Sequence, residues 1–275
     1  MVNALKRIAA LARIVLLDGL RRHALMGLIV LSVAAQIGAL FFFDFIPRDI
    51  GRASSDFILS VAWLVGCIFL FFHAVQVMAL DEERKVIYSL LARPLSRGEY
   101  VLGLFSGLAA LLLLLNLLLS GLGVGTLLTI KHMVKPIYFS QFHLAYYFLS
   151  WFGVIAMELM LLAVIMLFSG LVRGSFPVLL ISLSFYAICS GLPVVREAVA
   201  QHAAQGDKVQ GLSTLLQGMT AIFPDFDRLD FKNTIASTAS LPDATTTLLN
   251  FGLTISYVGL FLWLACAVYQ RRDLQ

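Results

Sequence analysis

Long apolar runs, uncharged but for Glu158 in the fourth, alternate with charged breaks along this chain. Six runs approach or exceed spanning length: about Ala24–Phe43, Phe57–Leu80, a stretch within Tyr100–Ile130, Phe142–Leu171, Phe176–Val195 and Leu248–Tyr269. A helix rising 1.5 Å per residue needs about 20 apolar residues to cross roughly 30 Å of hydrocarbon. The pattern predicts an all-α polytopic membrane protein with six transmembrane helices over residues 24–275. The third run is uncharged for longer than one crossing needs. It predicts a helix that is tilted, or broken near Gly121-Leu122-Gly123-Val124-Gly125. Ahead of the first run, residues 1–23 carry Ile8, Leu11, Val15 and Leu16 at helical spacing, with Lys6, Arg7 and Arg13 away from them. This predicts an amphipathic helix lying in the membrane interface.

Composition agrees with the pattern. The chain is 60% hydrophobic and only 13% charged, where a soluble domain is nearer half apolar and a quarter charged. Its net charge of +4 is spread among loops, with no basic domain, which argues against a nucleic-acid partner. Cys67, Cys189 and Cys266 fall in separate apolar runs without metal spacing and read as packing residues.

Orientation follows from Lys and Arg near span ends. One side carries Lys6, Arg7, Arg13, Arg21, Arg22, Arg84, Lys85, Arg93, Arg97, Arg173, Arg271 and Arg272. The other carries Arg48, Arg52, Lys131, Lys135, Arg196, Lys208, Arg228 and Lys232, four of them in the long 196–247 loop. The bias predicts that both termini, the Arg173 loop and residues 81–99 are cytoplasmic, with 196–247 on the opposite side.

Residues 81–99 form a charged island between two apolar runs, eight of its 19 residues being charged. Asp81–Ala92 has acidic residues first, where they complement a helix dipole, and an apolar stripe of Val86, Ile87, Leu90 and Leu91. Pro94 ends that helix and pushes Arg93 out of helical geometry. Ser96-Arg97-Gly98-Glu99 has the S-x-x-E form of a capping box that would start the next span.

This arrangement resembles the first cytoplasmic loop of ABC-2 type permeases, the membrane subunits of one class of ATP-binding-cassette transporter. Glu83-Arg84, Leu90-Leu91, Pro94-Leu95-Ser96-Arg97 and Gly103 match that family's pattern, while Lys85-Val86 and Leu104 depart from it. The leader, with Ala12-Arg13-Ile14, Asp18-Gly19 and Leu20-Arg21-Arg22, is similar to the family's basic elbow helix. Phe223-Pro224-Asp225-Phe226-Asp227-Arg228-Leu229 looks like a Pro-Asp-x-Asp-Arg segment recurring in such permeases.

The resemblance implies the ABC-2 permease fold, a bacterial inner-membrane location, a second copy of the chain and two copies of a separate cytoplasmic ATPase. The island would enter a groove on that ATPase. Its coupling residues would be Glu83, Arg84, Ile87, Leu90, Leu91, Arg93, Pro94, Ser96 and Arg97, with Arg173 as a second cytoplasmic contact. The chain has no G-x-x-x-x-G-K-[ST] phosphate loop, so ATP and Mg would be bound by the partner and this subunit would carry no catalytic residue and no cofactor of its own.

Inside the runs, Glu158 is a carboxyl at mid-depth. It reads either as a proton or cation site on a transport path, or as a neutral, protonated group hydrogen-bonded to a neighbouring helix. His73, Gln76 and Asn116 read as polar glue between helices rather than metal ligands. Gly103-x-x-x-Gly107 and Gly121-x-x-x-Gly125 permit close helix approach and are candidate dimer seams. In the 196–247 loop, Leu212, Leu215, Leu216, Met219 and Ile222 suggest a surface helix ended by Pro224. Asp225, Asp227, Arg228 and Asp230 form either a cation site or, preferentially, a self-satisfied salt-bridge cluster. Two other function classes stand beside the permease: an ion-coupled secondary transporter using Glu158, and a non-transporting membrane scaffold.

Overall fold

The computed structural model describes residues 2–21, 24–40, 50–78, 95–139, 142–204, 223–231 and 243–271. The helices are α1 (Val2–Arg21), α2 (Ala24–Leu40), α3 (Ile50–Ile68), α4 (Arg97–Met133), α5 (Leu144–Leu171), α6 (Ser175–Ala204) and α7 (Ala244–Arg271). A π turn, Phe69–Ala74, carries α3 on to Met78. The described residues contain no strand. Five helices are long and apolar enough to cross a membrane, Ile50–Met78 counting as one with α4, α5, α6 and α7. The first predicted span corresponds to α2, of which 17 residues are described, with its flanks at 22–23 and 41–49 outside the described residues. This is the architecture of a polytopic α-helical membrane protein.

The third run forms one unbroken helix. α4 has 37 residues, about 55 Å at 1.5 Å per residue. Gly121, Gly123 and Gly125 lie within it without a break, so of the two alternatives, tilted or broken, the break does not occur. Leucine and alanine favour helix on either side, and in an apolar setting the backbone is satisfied best by continuing its own ladder. α6 continues to Ala204, nine residues beyond its predicted end at Val195, with Pro193 inside it.

The N-terminal helix packs along α4. Arg7 meets Glu99, Leu11 meets Gly103, Val15 meets Gly107 and Gly19 meets Leu111. Each step of four on α1 matches a step of four on α4, so the two helices run parallel, side by side, over three turns. Leu11 is buried against α4, while Lys6, Arg13 and Arg21 are exposed together with the apolar Leu5, Ile14, Leu17 and Leu20. The close packing is due to the first glycine pair, which removes side chains from the facing surface of α4. Gly103-x-x-x-Gly107 is thus occupied within the chain, whereas Gly121 and Gly125 have no atom within 4 Å of an added Cβ.

A Cβ on Gly107 would lie 2.6 Å from Val15 Cβ and 2.9 Å from the Ala12 carbonyl oxygen, so Gly107→Leu cannot be absorbed by a rotamer change. Overpacking of this kind costs about 1–3 kcal/mol. We expect the variant to insert normally but to lose disulfide cross-linking between cysteines placed at Ala4 and Ser96, positions one turn before Ile8 and Tyr100. Retained cross-linking would show that α1 tolerates a wider seam.

The core is built on α3, α4 and α5. Six consecutive residues of α5, Leu161 to Met166, are all 0% exposed, so this stretch of the helix is enclosed on every side. Ile58 of α3 faces Gly123 of α4, and Gly51 faces Phe139 just beyond α4, so α3 and α4 are antiparallel. Gly170 near the end of α5 touches Tyr269 and Val268 near the end of α7, so those two are parallel. The starts of α1 and α4 and the ends of α5 and α7 therefore gather at one end, the end where the island joins α4.

Candidate functional site

Seven of the island's coupling candidates, Glu83, Arg84, Ile87, Leu90, Leu91, Arg93 and Pro94, lie outside the described residues, as does its expected short helix. Ser96 and Arg97 are described, and both work at the start of α4. The Ser96 hydroxyl accepts from the Glu99 backbone N–H at 3.2 Å, and the Ser96 N–H donates to Glu99 Oε2 at 2.9 Å. The predicted capping box is formed, which satisfies two of the helix's unpaired donors.

Arg97 reaches α7. Its Nη1 donates to the carbonyls of Tyr269 at 3.2 Å and Gln270 at 3.0 Å. These are terminal carbonyls of α7, where a cation also meets the negative end of the helix dipole. Glu99, besides closing the cap, accepts from Arg7 Nε at 3.1 Å and from Arg7 Nη2, tying α1 to the same turn. That hydrogen bond holds the Arg7 guanidinium further above its ordinary pKa, so it stays charged. One turn on, the Tyr100 ring lies 6.3 Å from that of Tyr269, whose hydroxyl is 3.0 Å from Ser169 Oγ on α5. A displacement of the island's exit thus reaches α1, α5 and α7 within about one turn. Arg173 is exposed in the turn between α5 and α6, beside Gly174, whose φ of +92° suits only glycine.

Arg7, Ser169 and Tyr269 were not singled out from sequence for this junction. Arg7 looked like one more topological charge, and nothing in its spacing ties it to a residue 92 positions away.

The buried polar candidates separate into two groups. Asn116 and Glu158, 1% and 0% exposed, are hydrogen-bonded to each other across α4 and α5. An added Cβ on Gly66 of α3 would overlap the Glu158 carboxyl, so that glycine makes the space the acid occupies. His73 turns inward within the π turn, its ring 5.1 Å from that of Phe69, while Gln76 is exposed. The described residues hold no cluster of three or more His, Cys, Asp or Glu placed for a metal ion.

On the opposite side, Pro224–Phe231 is tucked into the bundle by Phe226, Leu229 and Phe231, all buried. Asp225 Oδ2 lies 3.3 Å from Arg228 Nε and 3.8 Å from Arg196 Nη1, and its Oδ1 accepts from the Asp227 N–H at 3.1 Å. Asn250 Nδ2 on α7 donates to the Arg228 carbonyl at 3.1 Å. Pro224, Asp225 and Arg228 border a cavity of about 180 Å³, and Asp227 and Asp230 border another of about 170 Å³ with Trp63 and Tyr186. Asp225 is thus held by two arginines and a backbone donor within this cluster.

A scan of protein-family models finds no match to this chain, and a search of curated proteins finds none either.

Proposed function

We propose that this chain is the membrane subunit of an ATP-driven exporter of the ABC-2 permease kind. Two copies pair in a bacterial inner membrane and engage two copies of a separate cytoplasmic ATPase, which binds ATP and Mg and performs hydrolysis. The observation that carries this reading is the Pro94-Leu95-Ser96-Arg97 island exit, together with the junction that follows it. A helix seated in the ATPase would be joined by a short turn to the first residues of α4. Arg97 and Glu99 then link those residues to α7 and α1. In this reading Leu90 and Leu91 make the ATPase contact, and Arg97 is a positioning residue that passes the movement on. The ion-coupled alternative would use Glu158, which is buried and bonded to Asn116, as its coupling group. The scaffold alternative predicts ATPase binding without transport.

Mass measurement of the complex purified in mild detergent tests the assembly. We expect two copies of this chain with two ATPase chains. An active monomer without an ATPase would overturn the proposal. Orientation is tested separately. A reporter fused after Gln275 should be active only in its cytoplasmic form, and activity on the far side would mean an odd number of crossings.

A further inference from the structure

Asn116 of α4 and Glu158 of α5 meet inside the helix core, where an unpaired charge or polar atom is costly. The Asn116 amide nitrogen is fully used. It donates to the Leu112 carbonyl, one turn back on its own helix, at 3.1 Å, and to Glu158 Oε2 at 2.5 Å. The first bond sets the way the amide faces, because its oxygen in that place would oppose the Leu112 carbonyl. Among the described residues, two atoms of the pair then have no hydrogen-bond partner, Asn116 Oδ1 and Glu158 Oε1. With Glu158 ionised both are acceptors, and neither can serve the other. No described cationic side chain bonds the carboxyl. Its backing on α3 is the Gly66 backbone, with the Cys67 thiol as the adjacent titratable group.

A single proton resolves the mismatch. A protonated carboxyl has one O–H donor and keeps a carbonyl acceptor. We propose that Glu158 holds a proton on Oε1 and closes a two-point acid–amide pair with Asn116, in which Oε1–H donates to Oδ1 while Nδ2–H donates to Oε2. The site's ligand is therefore a proton, and its role is to latch α4 to α5. Loss of the proton would set a carboxylate oxygen against the amide oxygen and remove one of the two bonds. The proposal does not depend on the transport reading, since it rests on the hydrogen-bonding inventory of the pair.

Infrared spectroscopy of the full chain in lipid vesicles at neutral pH tests it. A protonated-carboxyl C=O band is expected in the wild type and should be lost in Glu158→Gln. That variant should still fold, because the Gln amide can donate to Oδ1. The band should move to higher frequency in Asn116→Leu, where the bond to Oε2 is removed. Should that variant not reach the membrane, Asn116→Ser, too short for the two-point pair, reads the same shift. No difference between wild type and Glu158→Gln in the protonated-carboxyl C=O region would mean an ionised Glu158 and overturn the proposal. A band that is lost in Glu158→Gln but unmoved in the Asn116 variants would overturn the pairing.

Discussion

Leu90→Asp should weaken binding of the ATPase at least roughly tenfold, equivalent to about 1.4 kcal/mol. Burial of a leucine side chain stabilises a contact by about 1.5–3 kcal/mol, and the substitution both removes that gain and desolvates a carboxylate. The residue lies between the apolar runs, so membrane insertion should be unchanged. Co-purification of the ATPase with the variant gives the binding, and transport-coupled hydrolysis gives the consequence. Arg97→Glu has a different expected outcome. Arg97 bonds the last carbonyls of α7, so a carboxylate there would be repelled by them, and coupling should fall while the ATPase still co-purifies. If Leu90→Asp leaves both binding and coupled hydrolysis intact, the island is a passive topological turn and the permease reading loses its main support.

Gly153→Val should release the Pro224–Phe231 segment from the bundle. A Cβ at position 153 would overlap the Leu229 carbonyl oxygen and come within 2.9 Å of the Phe231 ring. The carbonyl belongs to the backbone, so relief requires the whole segment to move. Leu229 and Phe231 are buried at 1% and 4% exposure, and losing such burial costs about 1.5–3 kcal/mol per side chain. The expected readout is proteolysis near Arg228 and rapid thiol labelling of a cysteine placed at Leu229, both slow in the parent. Gly153→Ala should show a weaker form of the same effect. Unchanged labelling in Gly153→Val would mean that α5 shifts to accept the side chain and that the segment is not held by this contact.

The helices were largely legible from the run lengths because burial in lipid or in protein selects for the same uncharged stretches. Ser96 and Glu99 were legible too, since a capping box is a local device whose partners are three residues apart. Other features were not. The face of α1 that suggests a lipid contact is just as suited to a glycine-lined helix, and only the partner distinguishes them. The fully enclosed stretch of α5 has no signature in hydropathy, because lipid-facing and protein-facing leucines look alike. Asn116 and Glu158 each stood out as polar residues in apolar runs, yet their pairing depends on the register of α4 against α5. Gly66, which makes room for the acid, carries no signal in its neighbours. Arg97 stood out as a family-like position, but its bonds to α7 depend on a chain end 172 and 173 residues away.

The enclosure of α5 has a consequence for biogenesis. α5 is made before α6 and α7, so the stretch that ends with lipid on no side enters the bilayer while two of its eventual walls have not yet been synthesised. Glu158, just before that stretch, is the buried acid that must enter with it. Its partner, however, lies 42 positions earlier, on a helix already emerged when α5 follows. The polar contact can thus form at the moment of integration, with the apolar packing around Leu161–Met166 completed by the later helices. Chains truncated after α5 should therefore retain Glu158 in the membrane when Asn116 is present and insert poorly when it is replaced by leucine.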